Sequence, residues 1–189
     1  KTIEETPGGW DATDKLGVAV ACVWEYQTQR MRVYGPEDVE ALQKRLLRAD
    51  RISGYNIWNF DFPVIWGVQK QVWINDKGNV GIEQHSYGLK GKLAPKTNDI
   101  LRRIWIALGF DPDADGPKAR GAKLDDIASA TVNARKIGNG ADAPKWYQAG
   151  QVQRVVNYCA DDVGIERDLA DFVDRYGYVI YSGRQLFLK

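Results

Sequence analysis

Cysteine and histidine are scarce in this sequence. Among 189 residues there are two cysteines, Cys22 and Cys159, and one histidine, His85. Both cysteines lie in apolar runs and lack the close spacing of zinc ligands. We therefore expect two buried free thiols in a reducing compartment and assign neither of them to a metal site. His85 lies in a Gly- and Lys-rich stretch and is expected to be exposed and uninvolved.

Long apolar runs and an excess of one charge are also absent. No apolar segment reaches the roughly 18 residues that a membrane-spanning helix needs, and the first ten residues do not resemble a signal peptide. The sequence therefore predicts a soluble, cytoplasmic protein without a membrane partner. The 26 basic and 25 acidic residues nearly cancel, so the net charge neither favours nor excludes a nucleic-acid ligand.

Hydrophobic and aromatic side chains, in contrast, are plentiful. Hydrophobic residues make up 44% of the chain, which is enough for one sizeable core, and no repeat or low-complexity segment divides it. Residues 1–189 are accordingly predicted to form a single domain. The seven tryptophans and nine tyrosines suit both core packing and base stacking, and composition does not separate these uses.

The patterning of the first third predicts a hairpin, a helix, a strand and a second helix. Residues 15–26 form a β-branched apolar run, and residues 30–35 alternate polar and apolar side chains after a short polar turn. Residues 35–50 have leucines at helical spacing, with acidic residues at the start and basic residues at the end. A short strand at 51–58 precedes a helix that begins near residue 59 and continues through VIWGVQKQV.

Helices predominate in the rest of the chain. We expect a flexible or hairpin-like insertion at 74–96, then helices at 97–110, 123–132 and 151–176. The segments 111–122 and 134–150 are predicted to be loops, and the chain closes with extended structure from residue 178. The fold class that follows is α/β, with a mixed sheet flanked by helices.

One carboxylate is conspicuous because of its surroundings. In the segment SGYNIWNFDFPVIWG, Asp61 follows the predicted strand and has four aromatic neighbours in sequence: Trp58, Phe60, Phe62 and Trp66. A charge in so apolar a setting needs a shifted pKa or a counter-ion. A helix cap alone would also explain an aspartate here, and the two roles are compatible.

A second polar pair lies on the last helix. Tyr158 and Asp162 are four residues apart and share a helix face beside the apolar residues Val155, Cys159 and Val163. Carboxylates gathered on such a surface repel one another and persist mainly when cations neutralise them. Two Mg²⁺ or Mn²⁺ ions held about 4 Å apart by carboxylates suit in-line phosphodiester cleavage. A tyrosine beside them could orient the attacking water.

These two segments resemble motifs of a known family. GYNIWNFDFPVI resembles the second motif of the DnaQ-like, or DEDD, 3′→5′ exonucleases. YCADD resembles their third motif in its tyrosine form, which maps onto Tyr158 and Asp162. The resemblance extends from Gly8 to the C-terminus and includes KLDDIA. It implies an RNase H-like fold of the DEDDy branch, similar to family B polymerase proofreading domains and to small exonuclease domains found alone or beside helicases.

The first motif of that family, an Asp-x-Glu on the first strand of the sheet, has no clear counterpart here. Thr2-Ile3-Glu4 lacks the leading aspartate and the preceding apolar strand. We therefore expect this strand and its two carboxylates to lie upstream of Lys1, so that the first strand of the sheet is missing from residues 1–189.

The resemblance implies a specific set of site residues. Asp61 and Asp162 would bind two Mg²⁺ or Mn²⁺ ions, and Tyr158 would position the water. Substrate contacts are implied for three residues of the second motif: Asn56, Trp58 and Phe60. The plainer alternatives are that Asn56 supports the motif loop and that the aromatic residues belong to the core.

A few other charged residues have simpler interpretations. Asp99 lies at the start of a predicted helix and is expected to cap it, with support of the site as the alternative. Asp125 and Asp126 are expected to be first-turn helix acids. Lys136 and Lys145 flank GNGADAP and are candidates for lining a substrate channel.

The function implied by the resemblance is metal-dependent 3′→5′ exonuclease activity. The substrate would be a single-stranded DNA or RNA 3′ end, degraded to nucleoside 5′-monophosphates, in a role such as DNA repair. A helicase or a polymerase is the candidate protein partner. The alternative is a catalytically inactive nucleic-acid-binding or interaction module on the same fold. No residue chooses between DNA and RNA.

Overall fold

The computed structural model of the chain describes residues 2, 4–69, 83–113 and 122–188, without the side chains of residues 10 and 83–87. Within these ranges the architecture is mixed α/β, as the patterning predicts. The α-helices are α1 (Val39–Arg48), α2 (Asp61–Trp66), α3 (Glu83–Leu93), α4 (Ile100–Ala107), α5 (Leu124–Val132), α6 (Ala143–Gln148) and α7 (Val152–Tyr176). The strands are β1 (Ala21–Glu25), β2 (Arg30–Tyr34), β3 (Ile52–Gly54), β4 (Thr97–Asp99), β5 (Tyr178–Tyr181) and β6 (Arg184–Phe187).

The strands pair two by two. β1 is antiparallel to β2, β3 is parallel to β4, and β5 is antiparallel to β6. In the described part of the chain these pairs remain three separate sheets, so the single mixed sheet predicted from the sequence is not seen there. The reason lies in the packing, because β1 and β3 both lie against helix α7 rather than against each other.

Helix α7 is the element around which the fold is organised. Its buried residues lie along one face: Val155, Ile165, Leu169, Ala170 and Val173. The helices α5 and α6 and the strands β1, β3 and β5 pack along it. It ends at Gly177, which has a left-handed φ of 75° that glycine adopts without strain. None of the described helices combines the length and apolarity that crossing a bilayer requires.

Two apolar clusters make up the core. One joins α4, α5, α7 and the closing hairpin, and it includes Ile100, Ile104, Ile127, Leu169 and Val179. The other joins α1, β3, α2 and α3, and it includes Leu42, Ile52, Phe62, Leu89 and Leu93. Phe62 packs edge-on against Trp58 and Trp66, with ring centroids 4.8 and 5.4 Å apart. These rings fix the turn from which Asp61 projects.

Helix α3 occupies residues that the sequence pattern assigns to an insertion. The glycines and lysines of this segment obscure its periodicity, but Leu89 and Leu93, one turn apart, are both buried in the second cluster. Tertiary burial therefore overrides weak helical patterning. The part of the predicted insertion at 74–82 and the side chain of His85 lie outside the described residues, as do residues 114–121 of the predicted loop.

Three element boundaries also differ from the prediction. Helix α2 ends at Trp66, before Gly67, whose φ is 63°, and Val68 and Gln69 are not helical; the rest of the predicted helix lies outside the described residues. Residues Thr97–Asp99 form a strand instead of the first turn of α4. The predicted loop at 134–150 contains α6, which has Pro144 at its N-terminus, a favoured place for proline. The hairpin, α1, β3, α5, α7 and the closing extended segment are confirmed.

The N-terminal segment forms a turn. The backbone N–H of Thr2 donates to the Glu5 carboxylate at 3.0 Å, and the N–H of Glu5 donates to the Thr2 hydroxyl at 3.2 Å. Glu5 also accepts a hydrogen bond from the Gln148 side chain. Glu4 and Glu5 are both exposed, so they are not part of a strand-borne carboxylate motif.

Candidate active site

The loop that precedes Asp61 is built around a buried carboxylate, that of Asp99, which is 3% exposed. Its Oδ1 accepts hydrogen bonds from the backbone N–H groups of Asn56 at 3.0 Å and Leu101 at 3.1 Å. Its Oδ2 accepts one from the N–H of Trp58 at 3.2 Å. Burial raises the pKa of Asp99, whereas these hydrogen bonds act to lower it. Asp99 thus caps α4, as predicted, and also holds the loop.

The three residues predicted to contact substrate lie in this loop. Asn56 adopts a left-handed φ of 67°, which asparagine tolerates better than most residues, and its side-chain oxygen accepts a hydrogen bond from Asn59 at 2.9 Å. Asn56 and Phe60 are half-buried, whereas Trp58 is buried in the second cluster. Asn56 and Phe60 are therefore accessible to a ligand, whereas Trp58 is part of the core beneath the loop and is not a direct substrate contact.

Asp61 is the first residue of α2, so it follows the N-cap rather than being the cap itself. Asp61 is exposed, yet desolvation by the surrounding protein, followed by the negative charge of Asp99, raises its pKa to about 7. Among the described residues, no cation pairs with Asp61.

Helix α7 presents three polar side chains on successive turns, Tyr158, Asp162 and Glu166. Burial raises the pKa of Glu166 well above its usual value, and the negative charges of Asp61 and Asp162 raise it further. The structure therefore brings Asp61 near the α7 carboxylates, as the motif pair predicts. Glu166 belongs to neither sequence motif, although it lies four residues after Asp162 on the same helix face.

Glu166 also lies against the end of β3. A Cβ atom placed on Gly54 would lie 3.0 Å from Oε2 of Glu166 and 2.8 Å from Cδ1 of Ile57. A residue with a side chain at position 54 would displace this carboxylate. Glycine at the end of β3 therefore allows Glu166 to approach the motif loop.

Lys136 supplies the positive charge of the site. Its Nζ lies 2.7 Å from Oδ2 of Asp162 and 5.4 Å from the centre of the Tyr158 ring. Its backbone N–H donates to Oδ1 of Asp125 at 2.8 Å, which fixes the loop after α5. Burial would lower the pKa of Lys136, but the hydrogen bonds and negative charges of Asp162 and Tyr158 together outweigh burial and raise it. Lys145, the other candidate, is exposed on α6.

A glycine-containing loop covers Tyr158. A Cβ on Gly140 would lie 3.3 Å from the Tyr158 hydroxyl, and a Cβ on Gly138 would lie 3.3 Å from both the Tyr158 and the Trp146 rings. Burial raises the pKa of Tyr158. The Tyr158 hydroxyl and Oδ1 of Asp162 are buried and make no hydrogen bond of good geometry among the described residues, although the hydroxyl lies near enough to Lys136 and Asp162 for both to influence its pKa. These two atoms are the unsatisfied polar positions of the site.

The site contains the kind of oxygen ligands that a hard divalent cation prefers. Asp61, Asp162 and Glu166 offer carboxylate oxygens, which Mg²⁺ and Mn²⁺ prefer, and their mutual repulsion together with the orphaned Asp162 oxygen would be relieved by a cation. Within the described ranges, however, no three His, Cys, Asp or Glu side chains are gathered closely enough to form a metal-binding group. The arrangement therefore meets the chemical requirement but not the ligating geometry.

Comparison of the chain with protein-family models, with curated proteins and with solved structures found no match. The interpretation of the site accordingly depends on its residues and their arrangement.

Proposed function

We propose that this chain is an RNase H-like domain of a metal-dependent 3′→5′ exonuclease. The reaction would hydrolyse phosphodiester bonds of single-stranded DNA or RNA and release nucleoside 5′-monophosphates. One observation carries the proposal: Asp61, from the second motif, lies close enough to Glu166, one turn beyond Asp162 of the third motif, to raise its pKa. This electrostatic influence supports the proposal that two motifs distant in sequence contribute to one site, although the carboxylates are not gathered in ligating geometry.

Each residue of the site has a role in this proposal. Asp61 and Asp162, supported by Glu166, would hold Mg²⁺ or Mn²⁺. When bound, such ions supply the positive charge that stabilises the attacking and leaving oxygens of a phosphodiester. The Tyr158 hydroxyl, which makes no hydrogen bond of good geometry among the described residues, would orient the attacking water. Lys136 holds a positive charge beside Asp162 and is placed to bind a phosphate oxygen.

The substrate would lie against the second-motif loop. Asn56 and Phe60, which are half-buried next to Asp61, are proposed to contact the 3′-terminal nucleotide. Trp58 would hold them in place from the core. A cytoplasmic setting, a role in DNA repair and a helicase or polymerase partner belong to this proposal.

A second function is favoured by a different observation. The Lys136 ammonium already neutralises Asp162, and the described residues contain no gathered metal-ligand group. A site that a lysine neutralises does not need a metal to be stable. This supports a catalytically inactive module that binds single-stranded nucleic acid with the same surface.

The two functions are distinguished by digestion of single-stranded DNA and RNA labelled at either end. The full-length protein would be incubated with Mn²⁺ beside the variants Asp61→Asn and Asp162→Asn. Asp161→Asn is the matched control, because Asp161 is the exposed neighbour of Asp162 on the same helix. We expect stepwise loss from the 3′ end, reduced at least about 100-fold by the first two substitutions and unchanged by the third.

Calorimetric titration with Mn²⁺ gives a second readout that does not depend on turnover. Binding that Asp61→Asn and Asp162→Asn abolish supports the metal site. Binding of single strands without Mn²⁺ binding and without cleavage would replace the exonuclease by the inactive module. Cleavage that proceeds from the 5′ end, or that survives Asp61→Asn, would contradict the proposal.

A further inference from the structure

The two cysteines of the chain meet in the folded structure. Cys22 lies in β1 and Cys159 lies in α7, next to Tyr158. The Cys22 thiol donates a weak hydrogen bond to the carbonyl oxygen of Val156, with the sulfur 3.9 Å from that oxygen. Val156 lies three residues before Cys159 on the same helix, and the two thiols are close enough for each to shift the pKa of the other. Both thiols are free and half-buried.

We propose that Cys22 and Cys159 are a redox modification site that forms a reversible intrachain disulfide when the folded protein meets a disulfide oxidant. A disulfide forms where two cysteines face each other across packed elements, and β1 packs along α7 with the Cys22 sulfur against the turn that leads to Cys159. The sequence contains no third cysteine, so neither thiol has a competing partner within the chain. The contact joins a strand to a helix, and no element needs to unfold for the bond to form.

The order of the two steps follows from the environments of the thiols. The hydrogen bond from Cys159 lowers the pKa of Cys22 by stabilising its thiolate, whereas the same contact and burial raise the pKa of Cys159. Cys22 is therefore the attacking group. Its thiolate displaces one glutathione from glutathione disulfide and forms a mixed disulfide. Cys159, after losing its proton, attacks the Cys22 sulfur and releases the second glutathione. Two protein thiols are oxidised, and one glutathione disulfide is reduced to two glutathione molecules.

The bond would restrain the part of α7 that carries the candidate site. It ties β1 to Cys159, which is adjacent to Tyr158 and lies in the turn before Asp162. This inference does not depend on the proposed function, because it concerns only the chemistry of the two thiols.

The test is oxidation of the native full-length protein by glutathione disulfide, followed by thiol counting and intact mass spectrometry. We expect both thiols to be lost together, with a mass decrease of two hydrogens per chain, no retained glutathione, and full reversal by dithiothreitol. Because the disulfide closes a long loop, the oxidised protein should unfold about 5–10 °C higher than the reduced protein.

Two single variants assign the steps. Cys159→Ser leaves Cys22 without its resolving partner and should accumulate the mixed disulfide with glutathione. Cys22→Ser should react much more slowly, because only the less acidic Cys159 remains. In the unsubstituted protein, survival of both thiols, a stable glutathione adduct on one of them, or dimers linked through a disulfide would each overturn the proposal. This result does not require either variant to fold.

Discussion

The Lys136 ammonium lies 2.7 Å from one oxygen of Asp162, while the other oxygen of the same carboxylate has no hydrogen-bond partner among the described residues. The side chains of both residues are mostly buried, with exposures of 24% and 19%. The pair therefore neutralises Asp162 on one side and leaves it able to accept a further cation or hydrogen bond on the other.

Replacement of Lys136 by methionine tests whether this lysine substitutes for a metal ion. Lys136→Met leaves Asp162 and Glu166 without a neighbouring cation, so the metal-free protein should lose about 1–3 kcal/mol of unfolding free energy. Mn²⁺ should restore more of that stability in the variant than it adds to the unsubstituted protein. Thermal unfolding with and without Mn²⁺ measures both effects. Lys145→Met, at an exposed lysine, is the matched control. An equal response of both variants to Mn²⁺ would show that Lys136 does not compete with a metal.

The raised pKa of Asp61 predicts a specific pH dependence of stability. Desolvation and the charge of Asp99 raise the pKa of Asp61 in the folded protein to about 7 at most, whereas the unfolded chain loses this proton near 3.8. Between these values the folded state binds more protons, so this group's contribution to stability falls as the pH rises, and the loss is complete above about pH 7. Asp61→Asn removes the carboxylate whose ionisation destabilises the folded state. The variant should therefore be more stable than the unsubstituted protein at pH 8 and equal to it near pH 3.

The size of that effect is limited by the exposure of Asp61. Because Asp61 is exposed, solvent screens most of this pKa shift, and we expect a loss of about 1 kcal/mol of unfolding free energy at pH 8, most of it within about one pH unit above 3.8. Urea unfolding at several pH values, with Asp161→Asn as the control for charge removal, gives the measurement. A variant that is less stable than the unsubstituted protein at pH 8 would contradict the assigned environment.

Loss of the Asp99 charge should disrupt two elements at once. Asp99→Asn leaves one acceptor oxygen for the N–H groups of the motif loop and of α4, and it places an amide group in a buried position. We expect a loss of about 2–4 kcal/mol in unfolding free energy. Asp126→Asn, at an exposed first-turn acid of α5, should change stability by less than about 0.5 kcal/mol. Chemical denaturation compares them, and similar costs would argue against the central role of Asp99.

Substitution of Gly54 should move Glu166 away from the motif loop. The added Cβ of Gly54→Ala would displace the Glu166 carboxylate and the end of the Ile57 side chain. This displacement should lower the unfolding free energy by about 1–3 kcal/mol. Gly164→Ala is the matched control, because a Cβ at Gly164 meets no atom within 4 Å and Gly164 lies inside α7. That control should gain about 0.5–1 kcal/mol through better helix propensity. Denaturant midpoints should therefore fall for Gly54→Ala and rise for Gly164→Ala. A rise for Gly54→Ala would contradict the packing described for Glu166.

The elements that the sequence predicts well are those whose signals are local. The opening hairpin, α1 and α7 have strong periodicity and clear turn or charge signals, and each is confirmed with small changes at its ends. Helix α3 is the contrary case, because its glycines and lysines dilute the pattern and only the burial of Leu89 and Leu93 shows why it is helical. A local pattern cannot report burial that another part of the chain supplies.

The candidate site divides in the same way. Asp61, Tyr158 and Asp162 could be selected from short motifs because each motif carries its own spacing. Glu166 lies in neither motif, and the sequence offers Lys136 only as a candidate for lining a substrate channel. The importance of both residues arises from contacts that the motifs do not report. The contact between the two cysteines is of the same kind.

The sequence by itself determined the α/β class, most helices and strands, and the residues that could carry metal chemistry, because backbone propensity and hydrophobic periodicity act over a few residues. Only the tertiary structure decided which carboxylates share a site, that Lys136 neutralises one of them, that the strands pair separately against α7, and that the thiols meet. Those outcomes depend on how α7 packs against β1, β3 and the loop after α5, and packing between distant segments is set by the shape and burial of the whole fold.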